Sequence, residues 1–300
     1  MLGNNTRVVK QIKDIGESQK GMDRDMYCHE KEAPIGVFDS GVGGLTVVRE
    51  IMKQIPNEQI VYFGDTARVP YGSKSRETIV RYSKEIVHFL QTQGVKAIVI
   101  ACNTASAYAL DEIEREWDIP MIGVVKPGAK AAVKATRNGR IGVIGTEGTI
   151  HSKIYSKYME ELQKGIQVLG KACPLFVPLV EEGLLEDPVT DEIAVRYLSE
   201  LIDRDIDTLI LGCTHYPLIA TAIGRVMGEG VFLVNPAYET AQELKQLLDC
   251  QGLLREKPPG LGKNRHQFFV SDAAEKFKRI ANSILPYGIL SANAMNMEQY

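Results

Sequence analysis

The sequence predicts an α/β protein of two similar domains, each with a mostly parallel sheet flanked by helices, and an active site in the cleft between them. Three observations carry that prediction. Nearly continuous apolar strands alternate with segments of helical periodicity, as in a sheet covered on both faces. The alternation restarts about halfway along the 300 residues. Each half also holds an apolar strand that runs into a cysteine and hydrogen-bonding side chains: Ile98-Val99-Ile100-Ala101-Cys102-Asn103-Thr104 and Leu209-Ile210-Leu211-Gly212-Cys213-Thr214-His215. Open parallel sheets bind ligands at their carboxyl edges, and two such edges facing each other would bound one cleft.

Residues 1–33 lack sustained apolar periodicity and read as a polar extension whose removal leaves the core intact. The first domain, 34–127, opens with a buried strand ending at Phe38, stopped by Asp39-Ser40-Gly41, and a helix marked by Leu45, Val48, Ile51 and Met52. A strand over 59–63, a long helix carrying Ile79, Tyr82, Ile86, Phe89 and Leu90, a strand over 97–101, a helix over 105–116 and a strand over 120–124 follow. Val125-Lys126-Pro127-Gly128 reads as a pause before an alanine-rich helix. The second domain, 128–236, repeats the alternation with strands at 140–145, 167–169, 208–212 and 231–234. Its helices fall at 149–162, 191–202 and 218–227, and 173–186 reads as irregular. A return segment, 237–286, supplies a helix over 239–248, a last strand at 268–270 and a helix through Ile280 that packs on the first domain; 287–300 is a tail.

With 35 Lys plus Arg against 38 Asp plus Glu, the formal charge of -3 offers no broad basic surface, so no nucleic acid is required as a partner. Apolar runs are too short to cross a bilayer and no secretory signal opens the chain; the expected location is cytoplasmic, with no membrane association. Five widely spaced cysteines in a chain of this length read as free thiols.

A cysteine just past a buried strand is ordinarily a small core hydrophobe. Cys102 and Cys213 depart from that reading because both precede helix starts, where free N–H groups favour a thiolate. Cys28, Cys173 and Cys250 have no such setting, His88 and His266 read as structural or surface residues, and His29 shares the extension with Cys28, where no pocket is expected. Cys213 with His215 could begin a metal site, but dense Cys/His spacing is lacking and no metal is expected. Asp39-Ser40-Gly41-Val42-Gly43-Gly44 is not a nucleotide fingerprint; it reads as a glycine turn able to hold a small anion, with Asp39 free for an amine or an acid/base partner. Glu181 and Glu182 would ordinarily be solvated, yet their apolar flank could bring one inward beside His215 as an acid/base relay.

Four motifs in order resemble the cofactor-independent aspartate/glutamate racemase family, and specifically its glutamate racemases. They are Asp39-Ser40-Gly41-Val42-Gly43-Gly44-Leu45-Thr46, the Phe63 to Gly72 stretch, Ala101-Cys102-Asn103-Thr104-Ala105-Ser106 and Leu211-Gly212-Cys213-Thr214-His215-Tyr216-Pro217. The resemblance runs from Pro34 to about Lys278. It implies that Cys213 takes the α-proton from L-glutamate and Cys102 from D-glutamate. It likens Asp39 to a carboxylate assisting Cys102, and Glu181 and His215 to the pair assisting Cys213. Ser40, Pro70, Tyr71 and Gly72, with Asn103, Thr104, Thr149 and Thr214, match positions that hold the substrate or wall its pocket. Where relatives commonly carry an Asp-Ser pair, this chain reads Asn235-Pro236-Ala237.

Two thiols suit the chemistry this resemblance implies. Inverting a Cα means removing a weakly acidic proton from one face and delivering one to the other, so a base and an acid must flank a planar centre. With no cofactor as electron sink, preorganised donors in a closed cleft must meet the developing charge. The expectation is a glutamate racemase supplying D-glutamate for peptidoglycan. Its expected partners are glutamate and a second copy of the chain in a dimer. The alternatives are an aspartate racemase or another cofactor-independent racemase of the superfamily, and a non-catalytic two-domain binding protein.

Overall fold

The computed structural model describes residues 31–259, 266–289 and 291–300. Cys28 and His29, with all but the last three residues of the polar extension, lie outside the described residues. Two sheets form, and every strand pair in both is parallel. The first has β1 (Ile35–Asp39), β2 (Ile60–Gly64), β3 (Ala97–Ile100), β4 (Met121–Gly123), β9 (His266–Val270) and β10 (Asn293–Ala294) in the order β10-β9-β2-β1-β3-β4. The second has β5 (Arg140–Gly145), β6 (Gln167–Ala172), β7 (Thr208–Gly212) and β8 (Phe232–Val234) in the order β6-β5-β7-β8.

The central strands are apolar throughout because both of their faces are covered. Side chains alternate across β1: Ile35 and Val37 join a cluster with Leu45, Val48 and Ile51 of the helix Leu45–Gln54, whereas Phe38 joins Ile86, Phe89 and Leu90 of the helix Arg76–Thr92 on the other face. The register pairs Phe38 with Phe63 on one side and Ile100 on the other, and Phe63 with Phe269 across β2 and β9. Each large side chain fully buried in this way contributes roughly 1.5–3 kcal/mol. The helix Pro236–Cys250 leaves β8 of the second sheet yet places Ala237, Ala241, Leu244 and Leu248 in the first sheet's cluster, which ties the halves together.

The segment 125–128 is not a pause. Val125–Ala135 is one helix, with Pro127 in its first turn, where a missing N–H leaves no bond unmade, and Gly128 packed so closely on Pro236 that a Cβ would meet its Cγ at 3.1 Å. The expected 149–162 helix is split into Glu147–His151 and Ile154–Leu162 by Lys153, whose φ of 53° is left-handed, with the Ser152 hydroxyl bonding Thr149 O and Ile154 N across the break. The 105–116 helix starts at Asn103 and is interrupted at Ala109. The irregular 173–186 stretch contains the helix Phe176–Glu181. The end of the chain is no free tail: Met295 N donates to Val270 O, Met297 is buried and the Tyr300 ring meets Phe89 edge-on at 5.4 Å. Among the described residues no helix is long and apolar enough to cross a membrane.

Candidate active site

The carboxyl ends of β1, β3, β5 and β7 deliver Asp39-Ser40, Cys102, Thr146 and Cys213 to one region. There a cavity of about 340 Å³ opens between the sheets. Ser40, residues 69–73 and residues 102–104 line it from the first sheet; Thr146, Glu147, Pro174, Val177, Pro178, Glu181 and residues 213–215 line it from the second. A wider groove beside the helix Arg76–Thr92 shares no lining residue with this cavity, and its Lys84 is already paired with Glu112 and Glu116.

Cys102 occupies the N-cap of the helix Asn103–Tyr108, where its Sγ accepts from Ala105 N–H at 3.5 Å and lies 3.8 Å from the Ser40 hydroxyl. Burial, and then the neighbouring Asp39 carboxylate, push its thiol up to about 12. Cys213 has a different companion, with Sγ 3.8 Å from His215 Nδ1 while His215 Nε2 stands 3.2 Å from Glu181 Oε1. Burial pulls the His215 pKa down, but its bonds to Cys213 and Glu181 more than offset this and lift it to about 10. The bond from His215 holds Glu181 below the usual carboxylate range. Of the two adjacent glutamates, it is therefore Glu181 that turns inward.

Asp39 is fully buried, and burial raises its carboxyl despite the nearby His215 and the backbone N–H groups of Gly44, Gly41 and Ser40. Its oxygens accept from Gly41 N–H at 3.0 Å and from the Thr214 hydroxyl at 3.5 Å, so its side-chain bonds reach its own turn and the opposite half. Gly43 has to be glycine here, because a Cβ would lie 2.2 Å from Thr214 Oγ1 and 2.5 Å from His215 Nδ1.

The halves also meet through hydroxyls. Thr104 Oγ1 lies 2.8 Å from Thr146 Oγ1 and 3.3 Å from Thr149 Oγ1, and those two lie 3.1 Å apart. Thr149 sits behind the cavity wall. Asn103 Oδ1 accepts from the Tyr155 hydroxyl at 2.7 Å, which leaves its amide N–H groups for other acceptors. Sequence reasoning missed Tyr155 and Thr146; the β5 end before Thr146 was the available signal, whereas nothing local marks Tyr155. Asn235 caps the helix Pro236–Cys250 through its side chain to Ala237 N–H at 3.0 Å. Among the described residues no three His, Cys, Asp or Glu side chains converge as a metal would need.

Such an arrangement can remove and return protons on two sides of a small ligand. Residues 35–244 match the family model described as Asp/Glu/Hydantoin racemase. A glutamate racemase of Geobacter metallireducens is 51% identical over 251 residues, covering 84% of this chain and 92% of the relative. The crystal structure of a glutamate racemase isoform from Bacillus anthracis superposes with a TM-score of 0.84 at 44% identity, over 88% of this chain and 98% of that one. The glutamate racemase of Francisella tularensis in complex with D-glutamate gives 0.83 at 38% identity, over 90% of this chain and all of that one.

Proposed function

The chain belongs to the Asp/Glu/hydantoin racemase family, and from that premise we propose that it interconverts L- and D-glutamate and supplies D-glutamate for peptidoglycan. The observation that carries this reading is the opening of two thiols, one from each sheet, onto a single cavity. In the L-to-D direction Cys213 takes the α-proton, with the His215–Glu181 pair at its back, and the Cys102 thiol delivers its proton to the opposite face. In the D-to-L direction the roles exchange, and the site must help Cys102 lose its proton, since burial opposes the thiolate. Substrate ammonium is the cation available for that task. Asn103, Thr104 and Thr214 supply donors for the charge that develops at the α-carboxylate. Ser40 and residues 70–72 wall the substrate, and Thr149 braces Thr104. Asp39 acts on the site through Gly41 and Thr214 as well as by its charge near Cys102.

Since the helix Val125–Ala135 packs with Ile141, Val143 and Ile154 of the second half, the expected limit between 127 and 128 moves to its start: the first domain is 34–124 and the second 125–236, with 237–286 returning to the first sheet. The protein works as a cytoplasmic homodimer. No step calls on pyridoxal phosphate or a metal. The test is incubation of chelator-dialysed protein with each glutamate enantiomer in deuterated water. The opposite enantiomer should appear with solvent deuterium at Cα. Absence of interconversion overturns the reading, and a higher kcat/KM on aspartate moves it to an aspartate racemase.

A further inference from the structure

We propose that Asp65 is a positioning residue: by holding the Tyr71 hydroxyl, it fixes residues 69–73 both as a wall of the cavity and as a bearing surface for the opposite half. This inference rests on the racemase reading above. Asp65 follows β2 directly and is fully buried. Its Oδ2 accepts from the Tyr71 hydroxyl at 2.5 Å and from Arg68 Nε at 2.7 Å; its Oδ1 accepts from the Ser271 hydroxyl at 2.8 Å and from Arg68 Nε at 2.9 Å. Arg68 continues to Glu85 and lies over the Tyr82 ring at 3.9 Å. Ser271 Oγ accepts from Ala67 N–H at 2.8 Å, so the segment is pinned from β9 as well. One carboxylate thereby gathers donors from just before the segment, from its middle and from the residue that follows β9.

Two consequences follow from this wiring. The Tyr71 hydroxyl proton is spent on Asp65, so toward a ligand Tyr71 offers its ring, its backbone and a hydroxyl oxygen that can only accept. Burial and the adjacent carboxylate raise its phenol well above the ordinary value, and it remains a donor. The next residue, Gly72, is pressed against the second half, where an added Cβ would lie 2.6 Å from Thr146 Cβ. A wall fixed before the ligand arrives does not have to be ordered by binding, whereas a loosened one does. The loss should therefore fall on KM rather than on the proton transfers.

Tyr71→Phe keeps the ring and removes the bond; Asp65→Asn keeps the shape and removes the charge. For both variants and their combination, KM and kcat are measured from each enantiomer, with thermal melting as the check on folding. Each single change should raise KM about tenfold in both directions, the scale of one hydrogen bond to a buried charge. The fall in kcat should be smaller than the rise in KM, and the double variant should be no worse than the worse single variant. Wild-type KM in Tyr71→Phe, or losses that multiply in the double variant, overturns the assignment. Where Asp65→Asn fails to fold, Tyr71→Phe decides alone. A wild-type protein that interconverts neither enantiomer overturns the functional reading instead.

Discussion

Cys102 and His215, on the two sides of the cavity, both keep their protons at neutral pH, one as a neutral thiol pushed up to about 12 and the other as an imidazolium lifted to about 10. Replacing either active thiol with serine preserves shape but removes an acidic group, so Cys102→Ser and Cys213→Ser should each lower racemisation by about 10²–10⁴-fold, as measured by polarimetry from both enantiomers. Near-wild-type turnover in either variant would contradict the two-thiol scheme. The Glu181–His215 bond also predicts a pH dependence of stability. The folded His215 pKa is raised, so its contribution is fully present below the unfolded value of about 6.5 and is lost as pH climbs through about 10. Glu181 is depressed, so its share is present above about 4.3 and is lost in acid as pH falls through the folded value. The Tm difference between wild type and Glu181→Gln should therefore be widest from about pH 4.5 to 6.5 and fade toward pH 10. A difference that grows with alkalinity would refute the charged pair.

At the scale of elements, the end of the polar extension does more than its composition suggests. Lys96 is buried against Glu58 at 2.6 Å and donates to Lys31 O and Leu253 O, each at 2.8 Å, while Arg255 pairs with Glu32 at 3.1 Å. Removing residues 1–33 withdraws an acceptor from a buried ammonium, so this cut should leave the core folded but less stable. Deletion of 1–33 should lower Tm by roughly 2–10 °C relative to deletion of 1–30. Equal melting of the two truncations would show the clamp to be idle. Most strands and helices were legible because apolar runs and 3.6-residue spacing are local signals. The break at Lys153 was not, since it depends on one backbone angle. Nor was β10, because a two-residue strand with both side chains exposed leaves no pattern to read. In the site, Cys102, Cys213 and their strand ends stood out by internal similarity. Tyr155 is distant in sequence from Asn103, and the bond from Thr214 to Asp39 crosses between halves, so neither could be read locally.

The whole molecule turns on how closely its halves approach. Among the described glycines, Gly43 and Gly72 leave the least room for a side chain between the halves, one facing Thr214 and His215 and the other facing Thr146. Gly72→Ala should hold the halves apart and lower kcat/KM by about 10²-fold in both directions, the cost of misplacing reacting groups by an ångström, with little change in secondary structure by circular dichroism. Unaltered kcat/KM would mean that the approach is not needed for turnover. Beside that contact lies the triangle of Thr104, Thr146 and Thr149 hydroxyls. Each hydroxyl both donates and accepts, so the protons can circulate round the triangle clockwise or anticlockwise without moving a heavy atom. The triangle, unlike the Thr214-to-Asp39 bond across the same seam, thus has no built-in direction, and a site that must receive two mirror images in turn gains a neighbour that can reverse its direction of donation by rotating hydrogens alone.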